Sequence, residues 1–238
     1  MLISFIKSYP LVIAPILGLI PALVWLWFWL KEDIHPEPAK MLTLSFLGGM
    51  AAVILVLPLQ RFVYDYIKDE NFWAFFIWAS LEELFKFGMV YYIALKRRVN
   101  DEPVDSIIYM IVSALGFVAL ENTFFLVDLI HSGDFFGVFI TGNMRFVGAS
   151  LLHIISSGTI GICMALAFYK TKAKKYLYTF FGILIAIILH TSFNIYIMND
   201  TTNNIFLLFG MVWIGIIALL LLFERVKHIK TIELKNIN

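Results

Sequence analysis

Seven long apolar stretches dominate the chain, at residues 9–30, 41–63, 72–95, 105–130, 143–169, 176–198 and 204–224. A bilayer core needs about 20 helical residues, and each stretch meets that with room for tilt. The pattern predicts an all-α protein, a polytopic transmembrane helix bundle of about seven spans. Pro58 falls near the end of the second stretch, where a kink is expected. The apolar piece at 135–140 is too short to cross and is expected at the interface. Residues 1–30 hold a long apolar run and no small-residue cleavage pattern before Lys31, which predicts a retained first span. No internal repeat or soluble segment interrupts the series, so 1–238 is expected to be a single integral membrane domain.

Composition agrees. The chain is 61% hydrophobic and 15% charged, with a mean hydropathy of +0.87, where soluble domains run about 25% charged. The expected location is the cell membrane, with the bilayer as partner. The net charge of +1 carries no nucleic-acid signal, and no nucleic-acid partner is expected. Cys163 stands alone, so no intrachain disulfide forms. The basic residues sort by side: thirteen of the eighteen fall on one, three (Lys7, Arg61 and Lys68) on the other, and Lys86 and Arg145 fall inside spans. The positive-inside rule then puts the N-terminus outside and the C-terminus in the cytoplasm.

The third span breaks its own pattern with Glu82, Glu83 and Lys86. A charge at the middle of a membrane helix costs roughly 2.5–3.5 kcal/mol on insertion scales, and such groups are usually functional. The fourth span adds Glu121 and Asn122, the fifth Arg145 and His153, and the sixth His190 and Asn194. The other spans lack any comparable cluster, so the chemistry is expected in helices at about 72–198. Glu82, Glu121, His153 and His190 each lie 14–16 residues from the cytoplasmic end of their spans. That is roughly 21–24 Å of helix, which predicts one shared layer at or beyond the midplane.

Spacing refines the picture. Lys86 lies i+4 from Glu82 and i+3 from Glu83, so it can pair with either. The two glutamates point about 100° apart, so one is expected to face the reaction and the other to have a structural part. His190 and Asn194 share one helix face. Carboxylates suit general acid–base work, and histidines polarise water or bind metal.

Glu82-Glu83-x-x-Lys86, Phe117-x-x-x-Glu121-Asn122, a helix with Arg145 and His153, and His190-x-x-x-Asn194 together resemble the PrsW family of intramembrane proteases. That family lies within the superfamily of CAAX prenyl endopeptidases and bacteriocin-processing membrane proteases. Asp105 and Tyr109 also fit its pattern. The resemblance implies a membrane-embedded hydrolase that cuts a membrane-anchored protein or peptide on its extracytoplasmic side, with an anti-sigma factor as the best-known substrate. By the same resemblance, Glu82 or Glu83 activates water, His153 and His190 hold water or metal, and Asn194 donates to the oxyanion. Glu121 stands where the CAAX endopeptidases carry a histidine, as a second acid–base group or a ligand. Lys86, Asn122 and Arg145 have supporting parts. Asn194 departs from the aspartate common in PrsW-like sequences, which leaves the substrate class open. Zinc is a candidate cofactor, with Glu83, Glu121, His153 and His190 as its candidate ligands; the same groups can also work without metal, and the residue types do not decide between the two. The alternative is a proton-coupled membrane transporter in which the carboxylates relay protons. Against it, the sequence shows no repeated half.

Overall fold

The computed structural model describes residues 8–69, 71–199 and 205–229. Lys7, the 200–204 part of the loop before the last helix, and the tail from 230 lie outside the described residues. The helices are α1 (Pro10–Lys31), α2 (Ala39–Ile67), α3 (Phe72–Val90), α4 (Pro103–Ser132), α5 (Phe135–Met144), α6 (Ser150–Leu166), α7 (Lys172–Asn199) and α8 (Ile205–Lys227). Single π-helical turns, Tyr91–Leu95 and Arg145–Ala149, extend α3 and join α5 to α6. Among the described residues, six segments are long and apolar enough to cross a membrane, with α5 and α6 counted as one from Phe135 to Leu166. The chain is thus a multi-pass integral membrane protein.

The exception is α3, whose Glu82, Glu83 and Lys86 interrupt an otherwise apolar helix. Its neighbours show that it runs the same course as the other six. Gln60 and Tyr64 of α2 meet Trp78 and Glu82 of α3, while Gly48 lies beside Ile93, so the pair is antiparallel. Glu37, just before α2, meets Tyr109, and Gly49 lies beside Phe117, so α2 and α4 are parallel. Gly18 faces Thr123 while Ala14 clusters with Ile130, which makes α1 and α4 antiparallel. Likewise α6 runs against α4 and α7, and along α8. The direction alternates through seven consecutive segments.

At the centre is α4. Within its span 94% of the positions are buried, against 17–33% for α1, α2, α7 and α8, whose outer faces present apolar side chains to lipid. Its start is well defined. Pro103 occupies the first turn, and Asp105 accepts from the backbone N–H groups of Asp101 and Glu102 at 2.7 and 2.8 Å, in a capping box with Glu102. Its end is Gly133 in the left-handed region, φ 81°. Tyr109, fully buried, donates to Glu37 and ties the α1–α2 loop to α4. In that loop burial pushes the Asp33 and Glu37 carboxyls above their ordinary range. Asp105 and Tyr109 therefore anchor structure at the end of the bundle away from the charged α3 cluster.

One expectation changes. The 135–140 piece is no separate interfacial segment. It is the first part of α5, which continues through the π turn into α6. Arg145 lies just inside the fifth apolar stretch, whose start at 143 left the 135–140 piece apart. In the fold its charge is met by Glu121 inside the bundle, so the helix need not stop.

Membrane helices gain little from hydrophobic sorting among themselves and rely on close packing at small residues. The α2–α4 crossing depends on Gly49 and Gly116. A Cβ on Gly116 would collide with the Phe46 carbonyl oxygen, and one on Gly49 with that of Ser113. Both obstacles are backbone, so the helices would have to separate. Gly116→Leu is expected to destabilise the protein by at least about 1–3 kcal/mol, the usual range for overpacking. Gly142→Leu, at a position with open space, should change stability by less than about 0.5 kcal/mol. Thermal unfolding in detergent distinguishes the two.

Candidate active site

Asn71 starts α3 by accepting from the N–H groups of Trp73 and Ala74 at 2.9 and 3.2 Å. From that start the helical turn sends Glu82 and Glu83 in different directions. Both are buried, but their surroundings are opposite.

Glu83 faces the protein. Its Oε1 accepts from Lys86 Nζ at 2.6 Å and Ser156 Oγ at 2.9 Å, and lies 2.9 Å from His190 Nδ1. Its Oε2 accepts from Ser157 Oγ at 2.8 Å. Lys86, completely buried, also lies 2.9 Å from His153 Nδ1 and over the Phe117 ring at 4.9 Å. An ion pair this deep is tolerable only because nearly every lone pair and proton is used.

Glu82 faces a cavity. Its Oε1 accepts from Gln60 Nε2 at 2.8 Å. Its Oε2 is buried without a partner and lies 3.6 Å from His190 Nε2. Because Glu83 occupies His190 Nδ1 as an acceptor, the ring proton sits there and Nε2 keeps its lone pair toward the cavity. The His153 and His190 rings are 4.9 Å apart, edge to face. The cavity, about 960 Å³, is also lined by Glu121, Asn194, Arg145, Phe117, Trp78, Phe124 and Phe125. Arg61, Tyr64 and Asp65 line it where α2 ends. Glu83, Lys86 and Asn122 lie behind its wall.

Glu121 accepts from Arg145 and lies 3.4 Å from His153 Nε2. Arg145 also donates to Asn122 Oδ1 at 2.5 Å and stacks over Phe125 at 3.9 Å. It stands on the π turn, a local irregularity of the kind often found at functional sites. All nine candidate residues thus fall within one region, six lining the cavity and three behind it.

Among the described residues, Glu82, His153 and His190 form a cluster whose ligand atoms all lie within 4.8 Å of one another. Two histidines and a carboxylate are a common catalytic zinc set with an open fourth position. Bonds of about 2.0–2.2 Å in a tetrahedron separate ligand atoms by about 3.4 Å, so small side-chain rotations would close the cluster. The orphan Glu82 oxygen is the further sign that it fits a cation. The set differs from the one expected from sequence. Glu83 has its oxygens filled by four donors and Glu121 is held by Arg145, so the carboxylate that converges with the histidines is Glu82. With Lys86 donating to its Nδ1, neutral His153 carries its proton on Nε2. Ligation there requires that proton to leave.

Three participants were missed in the sequence. Ser156 and Ser157 follow His153 by three and four residues, and that spacing could have marked them as sharing its face. Gln60 falls near the end of the second apolar stretch, where a single polar residue draws no notice. In the structure α2 continues to Ile67 and Gln60 lies inside it.

The buried pair predicts a stability contrast. Glu83→Gln leaves Lys86 without its counter-ion and is expected to cost about 3–5 kcal/mol. Glu82→Gln, which breaks no ion pair with Lys86, should cost less than about 1.5 kcal/mol. Thermal unfolding of the purified variants tests this, and equal losses would contradict the division between the two glutamates.

A family model described as PrsW family intramembrane metalloprotease matches residues 37–222. Curated relatives are named Protease PrsW. That of Geobacillus kaustophilus is 28% identical over 73% of this chain and 74% of its own length. That of Clostridioides difficile is 29% identical over 81% and 82%, and that of Bacillus subtilis 30% over 66% and 67%. No solved structure matches the chain. These matches favour hydrolysis over the transporter alternative. With the family match covering most of the helices that build the cavity, the chain belongs to the PrsW family and is a membrane-embedded protease.

Proposed function

We propose that the protein hydrolyses a peptide bond of a membrane-anchored protein in the outer half of the bilayer, at water held among Glu82, His153 and His190. The observation that carries this reading is the convergence of those three side chains on one cavity, with a Glu82 oxygen left free. Residues 1–238 act as one membrane domain, with helices at about 72–198 and the last turns of α2 around the reaction. The positive-inside rule assigns the N-terminus to the outside, so the cavity, at the end where α2 finishes, faces the extracytoplasmic side. A single-span substrate of the anti-sigma-factor kind is the proposed class, as the motif resemblance implies.

The parts follow from the geometry. With no metal on its free oxygen, Glu82 takes the proton of the attacking water and later passes it to the leaving amine, so the proton balance closes. His190 is held in one tautomer by Glu83 and offers Nε2 to the same water. Asn194, one turn along α7 on the same face, donates to the developing oxyanion. Arg145 fixes Glu121, which borders His153. The residues fit a zinc ion, which Glu82, His153 and His190 would hold. When bound it would polarise the scissile carbonyl and make water a stronger acid. With Glu82 on the metal, Glu121 is the carboxylate beside that centre left to take and return the proton of the water. Phe75, Trp78, Phe124, Phe125 and Phe193 give the cavity apolar walls suited to a transmembrane segment drawn in from lipid.

Co-expression with an anchored anti-sigma-type reporter tests the reading. Glu82→Gln should lower cleavage by about 10²–10⁴-fold with the protein folded. Asn194→Leu should lower kcat by about 10²–10³-fold. Removing metal with a chelator should lower cleavage, and zinc should restore it. Full activity in Glu82→Gln would overturn the assignment.

A further inference from the structure

We infer that Gln60, on α2, is a positioning residue that aims the Glu82 carboxylate into the cavity. The inference rests on the reading of Glu82 as the working carboxylate. Two helices interlock here by residues one turn apart on each. Gln60 Nε2 donates to Glu82 Oε1 at 2.8 Å, and the Gln60 carbonyl accepts from Trp78 Nε1 at 3.2 Å. Trp78 precedes Glu82 by four residues on α3, and its ring stacks on Tyr64, four residues after Gln60 on α2, at 6.5 Å. The glutamine is therefore held at its backbone by the same helix whose carboxylate it holds.

The chemistry of the donor matters. A glutamate has three side-chain torsions, and one hydrogen bond to one oxygen removes the freedom of the last. That leaves Oε2, buried and partnerless, turned toward His190 Nε2 at 3.6 Å. An amide does this without cancelling the negative charge. The nearby cation, Lys86, instead pairs with Glu83. A lysine or arginine at position 60 would hold Glu82 equally well but would neutralise the charge that the reaction, or a metal ion, requires. Supporting residues of this kind are typically worth 10–100-fold in metal affinity or activity.

The test uses the full chain in detergent with two probes: Zn²⁺, titrated against a chelating dye, and the anchored reporter that the parent protein cuts. Gln60→Leu is expected to weaken Zn²⁺ binding about 10–100-fold. It should lower kcat by a similar factor and leave KM within about twofold, because the lost interaction orients the reacting group. Trp78→Phe keeps the amide and frees its backbone, so a smaller loss of the same kind is expected. It also serves if Gln60→Leu does not fold. Unchanged Zn²⁺ affinity and kcat, or a loss confined to KM, overturns the inference. Full activity in Glu82→Gln would overturn the functional reading itself. An inactive Glu82→Gln beside a Gln60→Leu indistinguishable from the parent would overturn the role of Gln60 alone.

Discussion

The carboxylate of Glu83 organises the interior of this protein. It draws Lys86 from its own helix, Ser156 and Ser157 from α6, and His190 from α7 onto two oxygens. In hydrocarbon an unpaired charge of this depth would cost several kcal/mol. The four donors remove most of that penalty and fix the mutual position of three helices at once. Everything on the cavity side follows, because Lys86 sets His153 and Glu83 sets His190. The reacting face is therefore built from behind, by groups that never meet the substrate.

The packing of α4 makes such a centre possible. Its almost complete burial keeps lipid away from the polar layer, and its close crossing with α2 brings Gln60 within reach of Glu82. Its two ends do different work. Near its start, Asp105 and Tyr109 tie down the α1–α2 loop. Glu121 and Asn122, about four turns further on, receive Arg145 from the π turn. A regular α-helix would not carry that side chain at the same angle. The one extra residue of the π turn re-aims it while the helix continues across the membrane.

Much of this was legible in the residues. Apolar length gave the spans, and helical rise put Glu82, Glu121, His153 and His190 in one layer, where the structure has them in contact. Legibility stopped where the answer depended on rotation about the helix axis. A 100° offset says that Glu82 and Glu83 diverge but not which faces the cavity, because that is fixed by neighbours on α2, α6 and α7. The candidate zinc set therefore named Glu83 and Glu121, whereas the carboxylate that converges with the histidines is Glu82. The same limit hid Gln60. A lone glutamine near the end of an apolar run is ordinary, and only the antiparallel pairing of α2 with α3 gives it a partner. The 135–140 piece was misplaced for a similar reason, since its continuation through Arg145 into α6 is plain only once the counter-charge on α4 is seen.

The distribution of hydrogen bonds carries the last step. Of the four oxygens on Glu82 and Glu83, three are satisfied and one is not. Leaving a buried acceptor unmade costs about 1–3 kcal/mol. Other buried side-chain atoms among the described residues also lack a partner, but the Glu82 oxygen is the one that belongs to a residue lining the cavity. Here Gln60 secures one oxygen of Glu82 and holds the other toward two histidines and open volume. The unmet oxygen is thus maintained by the surrounding structure, at the one place where an incoming water, metal ion or peptide can complete it.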